Sequence, residues 1–324
     1  MAQVVGRFAP TPSGYLHLGN LFCSLIAWLA AKSQGGTIIL RNEDLDVDRS
    51  RQEYFLQAQR DLESLGLYWD EGGEASGPHG PYDQSKRWAF YTVQLQKLET
   101  LGLVYPCFCT RAQLHAASAP HASDGEPIYA GTCRGLTPSQ IEERGKTRSP
   151  ALRLQVPDQS VAFTDLHYGP QEQYLPTGSG DFILRRSDGV FAYQLAVVAD
   201  DGAMGVTQVV RGRDLLSSTP KQILLYRLLG YPMPEFGHTP LVLAHDGRRL
   251  SKRDGDQSLA GLTARGFSPA DVVGALAYLG GLLPEPMAIT PQELLPLFAW
   301  SKLPREDIRI PETLFEKHLF QGIS

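Results

Sequence analysis

The chain has 324 residues, enough for one large domain or two ordinary ones, and its 42% hydrophobic and 20% charged residues are proportions of a folded globular protein, not a disordered one. With 30 Lys and Arg against 35 Asp and Glu, the formal net charge is −5, which excludes coating of nucleic acid by bulk positive charge but leaves room for a local basic patch. No apolar run is long enough to span a bilayer, and the first residues lack a charged region followed by an apolar signal core, so a cytoplasmic location is expected.

Residues 4–8 read as a short strand. The loop Ala9-Pro10-Thr11-Pro12-Ser13-Gly14 follows, because two prolines and a glycine break any regular element. An apolar-rich helix is expected from 17 to 33, closed by Gly35-Gly36, with Cys23 as one of its core residues. Residues 37–41 form a buried strand that ends in Asn42-Glu43-Asp44-Leu45-Asp46. Ser50 reads as the N-cap of a helix to about Leu65, with Glu53 placed to complete a capping box. Strand, helix, strand, helix in this order predicts a parallel α/β sheet. A second long helix is expected over 85–100. The loop from His115 to Gly125 reads as mobile or inserted. Short strands follow near 151–156, 161–166 and 181–185, and the α/β pattern resumes over 191–198 and 206–211. A helix is expected over 220–229. Beyond Lys252 the chain reads as mainly helical, near 269–279 and 291–298.

Two separated segments carry the chemistry. In the first, Arg7-Phe8-Ala9-Pro10-Thr11-Pro12-Ser13-Gly14-Tyr15-Leu16-His17-Leu18-Gly19-Asn20, a proline-stiffened loop delivers a histidine and a glycine to a helix start directly after a strand. Free N–H groups and the helix dipole favour anions there, and Gly19 permits close approach of a nucleotide ring. His17 is placed to meet phosphate charge as it develops. The second segment, Asp246-Gly247-Arg248-Arg249-Leu250-Ser251-Lys252-Arg253-Asp254-Gly255, is a basic loop between glycines that can clamp a triphosphate and stabilise departing pyrophosphate. Alone, the first is most simply a helix start and the second a solvated loop. Their joint occurrence in these contexts is the informative observation. Cys107, Cys109 and Cys133 form a further cluster with the spacing of a zinc site rather than a disulfide framework, and spacing nominates His115 or His121 as the fourth ligand. The plain alternative is a set of reduced core cysteines.

The two basic and histidine-bearing segments resemble the signature motifs of class I aminoacyl-tRNA synthetases. His17, Leu18 and Gly19 match the first, with Asn20 where that family commonly has a second histidine; Leu250, Ser251 and Lys252 match the second, with Arg249 and Arg253 at its ends. The resemblance implies an ATP site made of His17, Gly19, Asn20, Arg249, Leu250, Ser251, Lys252 and Arg253, with His17 and Lys252 catalytic and Mg²⁺ arriving with ATP. The leading arginine and the run from Arg41 to Asp46 resemble the glutamyl/glutaminyl branch. Glutamate needs a cation for its side-chain carboxylate, and Arg7 and Arg211 are candidates; Glu43 is the candidate for its ammonium. The resemblance adds Ala9, Thr11 and Tyr193 to that pocket. Alone, Arg41 with its acidic neighbours reads as an ion-paired strand end, and Tyr193 as core packing.

Cys107, Cys109, Tyr129 and Cys133 resemble the zinc motif of the glutamyl-queuosine tRNA(Asp) synthetases, which makes Tyr129 the fourth zinc ligand of a structural site. The chain after Arg253 is short, whereas ordinary glutamyl-tRNA synthetases continue into an anticodon-reading region. The implied architecture is α/β: a Rossmann-like class I catalytic core in two parts (1–104 and 181–255), an inserted zinc-bearing subdomain (105–180) and a helical C-terminal region (256–324). The implied activity is activation of L-glutamate with ATP, without need of tRNA, then transfer to queuosine at the first anticodon position of tRNA(Asp), by a monomer with no membrane partner. Rival readings are a short glutamyl-tRNA synthetase acting on a tRNA 3′ end, a non-catalytic glutamate-binding regulator, and another nucleotidyltransferase of the superfamily.

Overall fold

A computed structural model describes residues 3–110, 112–113, 128–250 and 258–316. Its longer helices are α1 (Leu18–Lys32), α2 (Gln52–Ser64), α3 (Trp88–Thr100), α4 (Pro138–Gly145), α5 (Tyr193–Ala203), α6 (Thr219–Leu229), α7 (Leu259–Ala264) and α8 (Pro269–Leu279). Among the described residues, no helix is long and apolar enough to cross a membrane.

Strands β1 (Val5–Phe8), β2 (Thr37–Leu40) and β3 (Glu71–Gly72) run parallel in that order. A three-stranded antiparallel sheet of β4 (Val104–Cys107), β5 (Ala151–Leu154) and β8 (Phe182–Arg185) lies in the middle of the chain. The remaining large sheet has the order β7-β6-β10-β9, from β6 (Ser160–Asp165), β7 (Gly169–Tyr174), β9 (Gln208–Gly212) and β10 (Glu235–Thr239). It meets the first at β1 and β9: Thr207 N donates to Val5 O over 2.9 Å, and Val5 N donates to Thr207 Oγ1 over 2.8 Å. Further along, Arg7 Nη1 donates to Val210 O over 2.8 Å, so a side chain occupies the seam. From β1 the chain steps outward to β2 and β3, then returns to β9 on the other side and steps outward to β10. That reversal is the topological switch point at which open α/β sheets place ligands, beyond the strand C-termini.

Helices cover both faces, which is why these parallel strands read as nearly continuous apolar runs. Side chains alternate across each strand. Phe8, Ile38, Leu40 and Val210 join α1, α2 and α8 in one core, while Ile39, Val209 and Phe236 join α3, α5 and α6 in the other. The same alternation puts Arg7 opposite Ile39 and Arg211 opposite His238, on the α5 and α6 side.

Several boundaries differ from the sequence expectation. Arg51, not Ser50, caps α2 without a side-chain bond, because Ser50 N is spent on Asp46 O in the preceding turn. The helix expected from 85 starts at Trp88 after a tight turn, Gln84–Lys86, that Asp44 holds by accepting from Ser85 N and Oγ. Residues 291–298 give only a helical turn, Pro291–Leu294, and a 3₁₀ turn after it. Strands β7 and β10 and helix α4 were not expected. A parallel pair, β11 (Val242–Leu243) with β12 (Ile308–Arg309), ties the C-terminal segment to the strand that leads into the basic loop. The loop read as mobile, 115–125, lies outside the described residues.

Candidate active site

At the β1/β9 seam a cavity of about 380 Å³ opens, and Arg7, Ala9, Thr11, Glu43, Tyr193 and Arg211 all line it. Three arginines are buried here. Arg41 is fully buried; its Nη1 donates to Asp201 Oδ1 over 2.6 Å and its Nη2 to Glu43 Oε1 over 3.0 Å, with Asp200 3.7 Å from Nε. Arg7 lies 3.7 Å from Asp201 Oδ2. Arg41 is thus the ion-paired strand end that its sequence context suggested, and it orients Glu43 toward the cavity. Burial pushes the Glu43 carboxyl up, against the opposing pull of Arg41. The Tyr193 hydroxyl, also raised by burial, makes none of the described hydrogen bonds.

Arg211 is different. Its Nε donates to His238 Nε2 (3.0 Å), its Nη1 to Gln222 Oε1 (2.7 Å), and its Nη2 to Thr219 Oγ1 (2.9 Å) and Leu215 O (3.3 Å). Every acceptor is neutral, and among the described residues Arg211 has no ion pair. A guanidinium cannot shed its proton, so a 5%-exposed cation with neutral partners leaves the cavity electropositive at one end. Cys23, expected in the core, instead lines this cavity, because the close approach of α1 to the seam brings that helix face to the site.

His17 stands at the N-terminus of α1. Its Nδ1 accepts from Asn20 N (3.3 Å), and Asn20 Oδ1 accepts from His17 N (3.1 Å), a reciprocal cap that accounts for asparagine at this position. A Cβ on Gly19 would sit 3.2 Å from the His17 ring, so the glycine keeps the imidazole against the helix end. Of the basic segment, Arg249 is exposed and pairs with Asp214 at 3.8 Å, whereas Leu250 packs into the core. Ser251, Lys252 and Arg253 lie outside the described residues. Arg249 and Asp214 also line a larger cavity of about 830 Å³, separated from the first by Leu215, which lines both. Asp214, Arg213 and Asp307 of this wall were missed. Arg213 Nε pairs with Asp307 at 2.9 Å, a contact between distant parts of the chain that leaves no local signal. Asp200 and Asp201 were missed too; two adjacent acids in an apolar helix were the available sign.

Cys107, Cys109 and Cys133 place their sulfurs within 4.8 Å of one another. Cys109 Sγ is 3.6 Å from Cys133 Sγ, and the Tyr129 hydroxyl lies 3.4 Å from Cys107 Sγ and 3.7 Å from Cys109 Sγ. Around a tetrahedral zinc, bond lengths of about 2.3 Å to sulfur and about 2.0 Å to oxygen imply edges of roughly 3.8 Å and 3.5 Å, so this donor set fits the ion. Burial pushes the Cys109 thiol up to about 11 and raises the Tyr129 hydroxyl as well. These groups therefore reach their anionic forms alongside a cation. His115 and His121, nominated by spacing, lie outside the described residues.

Residues 3–293 match the family described as tRNA synthetases class I (E and Q), catalytic domain. The glutamyl-Q tRNA(Asp) synthetase of Symbiobacterium thermophilum is 56% identical over 314 residues, 95% of this chain and 96% of that one. That of Nitratidesulfovibrio vulgaris is 48% identical over 317 residues, 97% and 98% of the two chains. A crystal structure of a glutamate tRNA ligase from Elizabethkingia meningosepticum in complex with its amino acid superposes with a TM-score of 0.82 at 28% identity, covering 97% of this chain and 68% of that one. The seam, the histidine-bearing helix start and these full-length similarities together place the chain in the class I tRNA synthetases of the glutamate and glutamine group, among relatives named glutamyl-Q tRNA(Asp) synthetases.

Proposed function

We propose that this chain activates L-glutamate with ATP to glutamyl-adenylate and then transfers glutamate to queuosine at the first anticodon position of tRNA(Asp). The observation that carries the glutamate part is Arg211, a buried cation with only neutral partners at one end of the cavity that Glu43 enters from another side. The substrate's side-chain carboxylate supplies the missing counter-charge to Arg211 and Arg7. Its ammonium meets the Glu43 carboxylate, with Tyr193, Ala9 and Thr11 completing the pocket. In the first step the α-carboxylate oxygen attacks the α-phosphorus and pyrophosphate leaves. His17, Gly19 and Asn20 at the α1 N-terminus, with Arg249, Ser251, Lys252 and Arg253 of the basic loop that the buried Leu250 anchors, hold the phosphates; His17 and Lys252 stabilise the charge that develops. Mg²⁺ accompanies ATP and offsets phosphate charge. In the second step a hydroxyl of queuosine attacks the mixed anhydride and AMP leaves.

The acceptor assignment is supported by the two full-length relatives, whose names specify it. Cys107, Cys109, Cys133 and Tyr129 hold a structural zinc ion that pins the inserted subdomain. We assign the chain to the cytoplasm, acting as a monomer.

The test is transfer of labelled glutamate to total tRNA from cells that make queuosine and from cells that cannot. Labelling of queuosine-containing RNA alone is expected. Equal labelling of both overturns the acceptor assignment in favour of a short glutamyl-tRNA synthetase. No labelling, together with no glutamate-dependent ATP–pyrophosphate exchange, overturns the enzyme reading in favour of a binding protein.

A further inference from the structure

Behind Arg211 lies a chain of buried groups that never reaches the cavity. Asp165 on β6 and His238 on β10 are both buried, and Asp165 Oδ2 lies 2.6 Å from His238 Nδ1. The other ring nitrogen, Nε2, is 3.0 Å from Arg211 Nε and 3.3 Å from Thr219 Oγ1, a hydroxyl that itself accepts from Arg211 Nη2 and can donate to the ring. A carboxylate cannot donate, and neither can a guanidinium accept. The proton of the ring therefore sits on Nδ1, and Nε2 presents its lone pair to Arg211. Burial, with the nearby Arg211 charge, holds His238 down to about 4, so the doubly protonated ring does not compete at neutral pH.

We propose that His238 is a positioning and specificity-determining residue for glutamate. Locked by Asp165 as the neutral Nδ1–H tautomer, it aims Arg211 while leaving the guanidinium charge for the side-chain carboxylate of the substrate. This rests on the glutamate reading above. A carboxylate at 238 would satisfy the same N–H but neutralise the cation. The imidazole orients it without doing so and keeps the Asp165 charge a ring's width away. Glutamine, which brings no charge, leaves Arg211 uncompensated in a buried site. His238 acts only through Arg211.

Asp165→Asn provides the test. Asp165 Oδ1 accepts from the backbone N–H groups of His167 (3.0 Å), Tyr168 (2.9 Å) and His238 (3.4 Å). In the nearly isosteric asparagine, the oxygen must stay at that position, so the amide N–H turns toward Nδ1. The ring proton then moves to Nε2, where it opposes the Arg211 N–H and finds an acceptor only in Thr219 Oγ1, so the bond that aims Arg211 Nε is lost. Nitrogen-15 spectra of histidine-labelled protein should show the Nδ1–H form in the unaltered chain and the Nε2–H form in Asp165→Asn. In glutamate-dependent ATP–pyrophosphate exchange, Asp165→Asn should raise the KM for glutamate roughly 10- to 100-fold, the loss expected for bonds to a charged group, and leave the KM for ATP unchanged. The preference for glutamate over glutamine should fall with it. His238→Gln, whose side-chain oxygen can take the place of Nε2, should keep the glutamate KM closer to the starting value than His238→Leu does, a comparison that stands even if Asp165→Asn does not fold. An Nε2–H tautomer in the unaltered chain, an unchanged glutamate KM in Asp165→Asn, or equal values for the glutamine and leucine variants overturns the inference alone. Exchange by the unaltered chain with another amino acid and not glutamate overturns the glutamate reading and this inference together.

Discussion

Arg41 shows how a residue can be indispensable to a pocket without lining it. Its guanidinium holds Asp201 and Glu43 directly and lies near Asp200, and Arg87 closes the group by donating to Asp200 over 2.7 Å. Removing one member of such a buried network strands the others. Arg41→Met should therefore cost about 3–5 kcal/mol in denaturant unfolding, far more than loss of a surface ion pair. A loss below about 1 kcal/mol would mean that the carboxylates are already relieved by Arg7 and Arg87. The sequence offered Arg41 with its acidic neighbours as an ion-paired strand end, and the structure agrees. It did not offer Asp200 and Asp201 as the partners, because they come from a helix some 160 residues further on.

Among elements, the cysteine-bearing segment has the most to gain from a ligand. Leu154, Phe182 and Leu184 tie the β4-β5-β8 sheet to the core of α3, α5 and α6, but at the cysteine end only a small apolar cluster of Cys107, Phe108, Tyr129 and Cys133 is buried, with Ile141 of the eight-residue α4 packed against it. So small a core needs a staple. Arg144 Nη1 approaches Cys133 Sγ at 3.7 Å, and the Arg153 guanidinium lies 3.9 Å above the Tyr129 ring, so both cations are placed to offset the excess negative charge that three thiolates and a phenolate would carry around one zinc. Elemental analysis of the purified chain should find about one equivalent of zinc, and Cys133→Ser should lose it. Limited proteolysis of the serine variant, or of the chelator-treated chain, should then open the 105–180 segment before the rest. Full-length protection without metal would show that the four donors merely pack together. The spacing of the cysteines made this cluster legible; whether histidine or tyrosine completes it could not be read from spacing, since Tyr129 reaches the sulfurs only through the fold of the intervening chain.

For the whole molecule, the buried Asp165–His238–Arg211 line gives stability a specific pH dependence. His238 is held from its ordinary 6.5 down to about 4 by burial and by Arg211. In the unfolded chain it takes up a proton as pH falls past 6.5, whereas the folded chain resists until about 4. The neutral-ring contribution is therefore fully present above 6.5 and lost as pH falls toward 4, by about 3 kcal/mol at most. Glu43 and Asp200, whose carboxyls burial raises, act with the opposite sign over the acidic range, so the unaltered chain alone does not isolate the effect. Denaturation midpoints of the unaltered chain and His238→Gln, compared from pH 7.5 to 4.5, should converge as pH falls. A gap that stays constant would mean that His238 is not linked to folding, and one that widens as pH falls would mean that the ring is protonated in the native state.

The sequence by itself offered the alternation of elements, the proline-stiffened loop that delivers His17 to a helix start, the basic loop, and Arg7, Glu43 and Arg211 as candidates for one small zwitterion, whereas Tyr193 came from the family resemblance. These are local signals: hydrophobic period, chain-breaking residues, and charge of the right sign at strand ends. Only the tertiary structure decided that β1 and β9 part at the seam, that Arg41 is a buried support and Arg211 an uncompensated cation, and that Asp165 and His238 stand behind it. Those outcomes depend on strand order and on partners far apart in the chain, where burial determines whether a charge is offset by a carboxylate or left for a ligand.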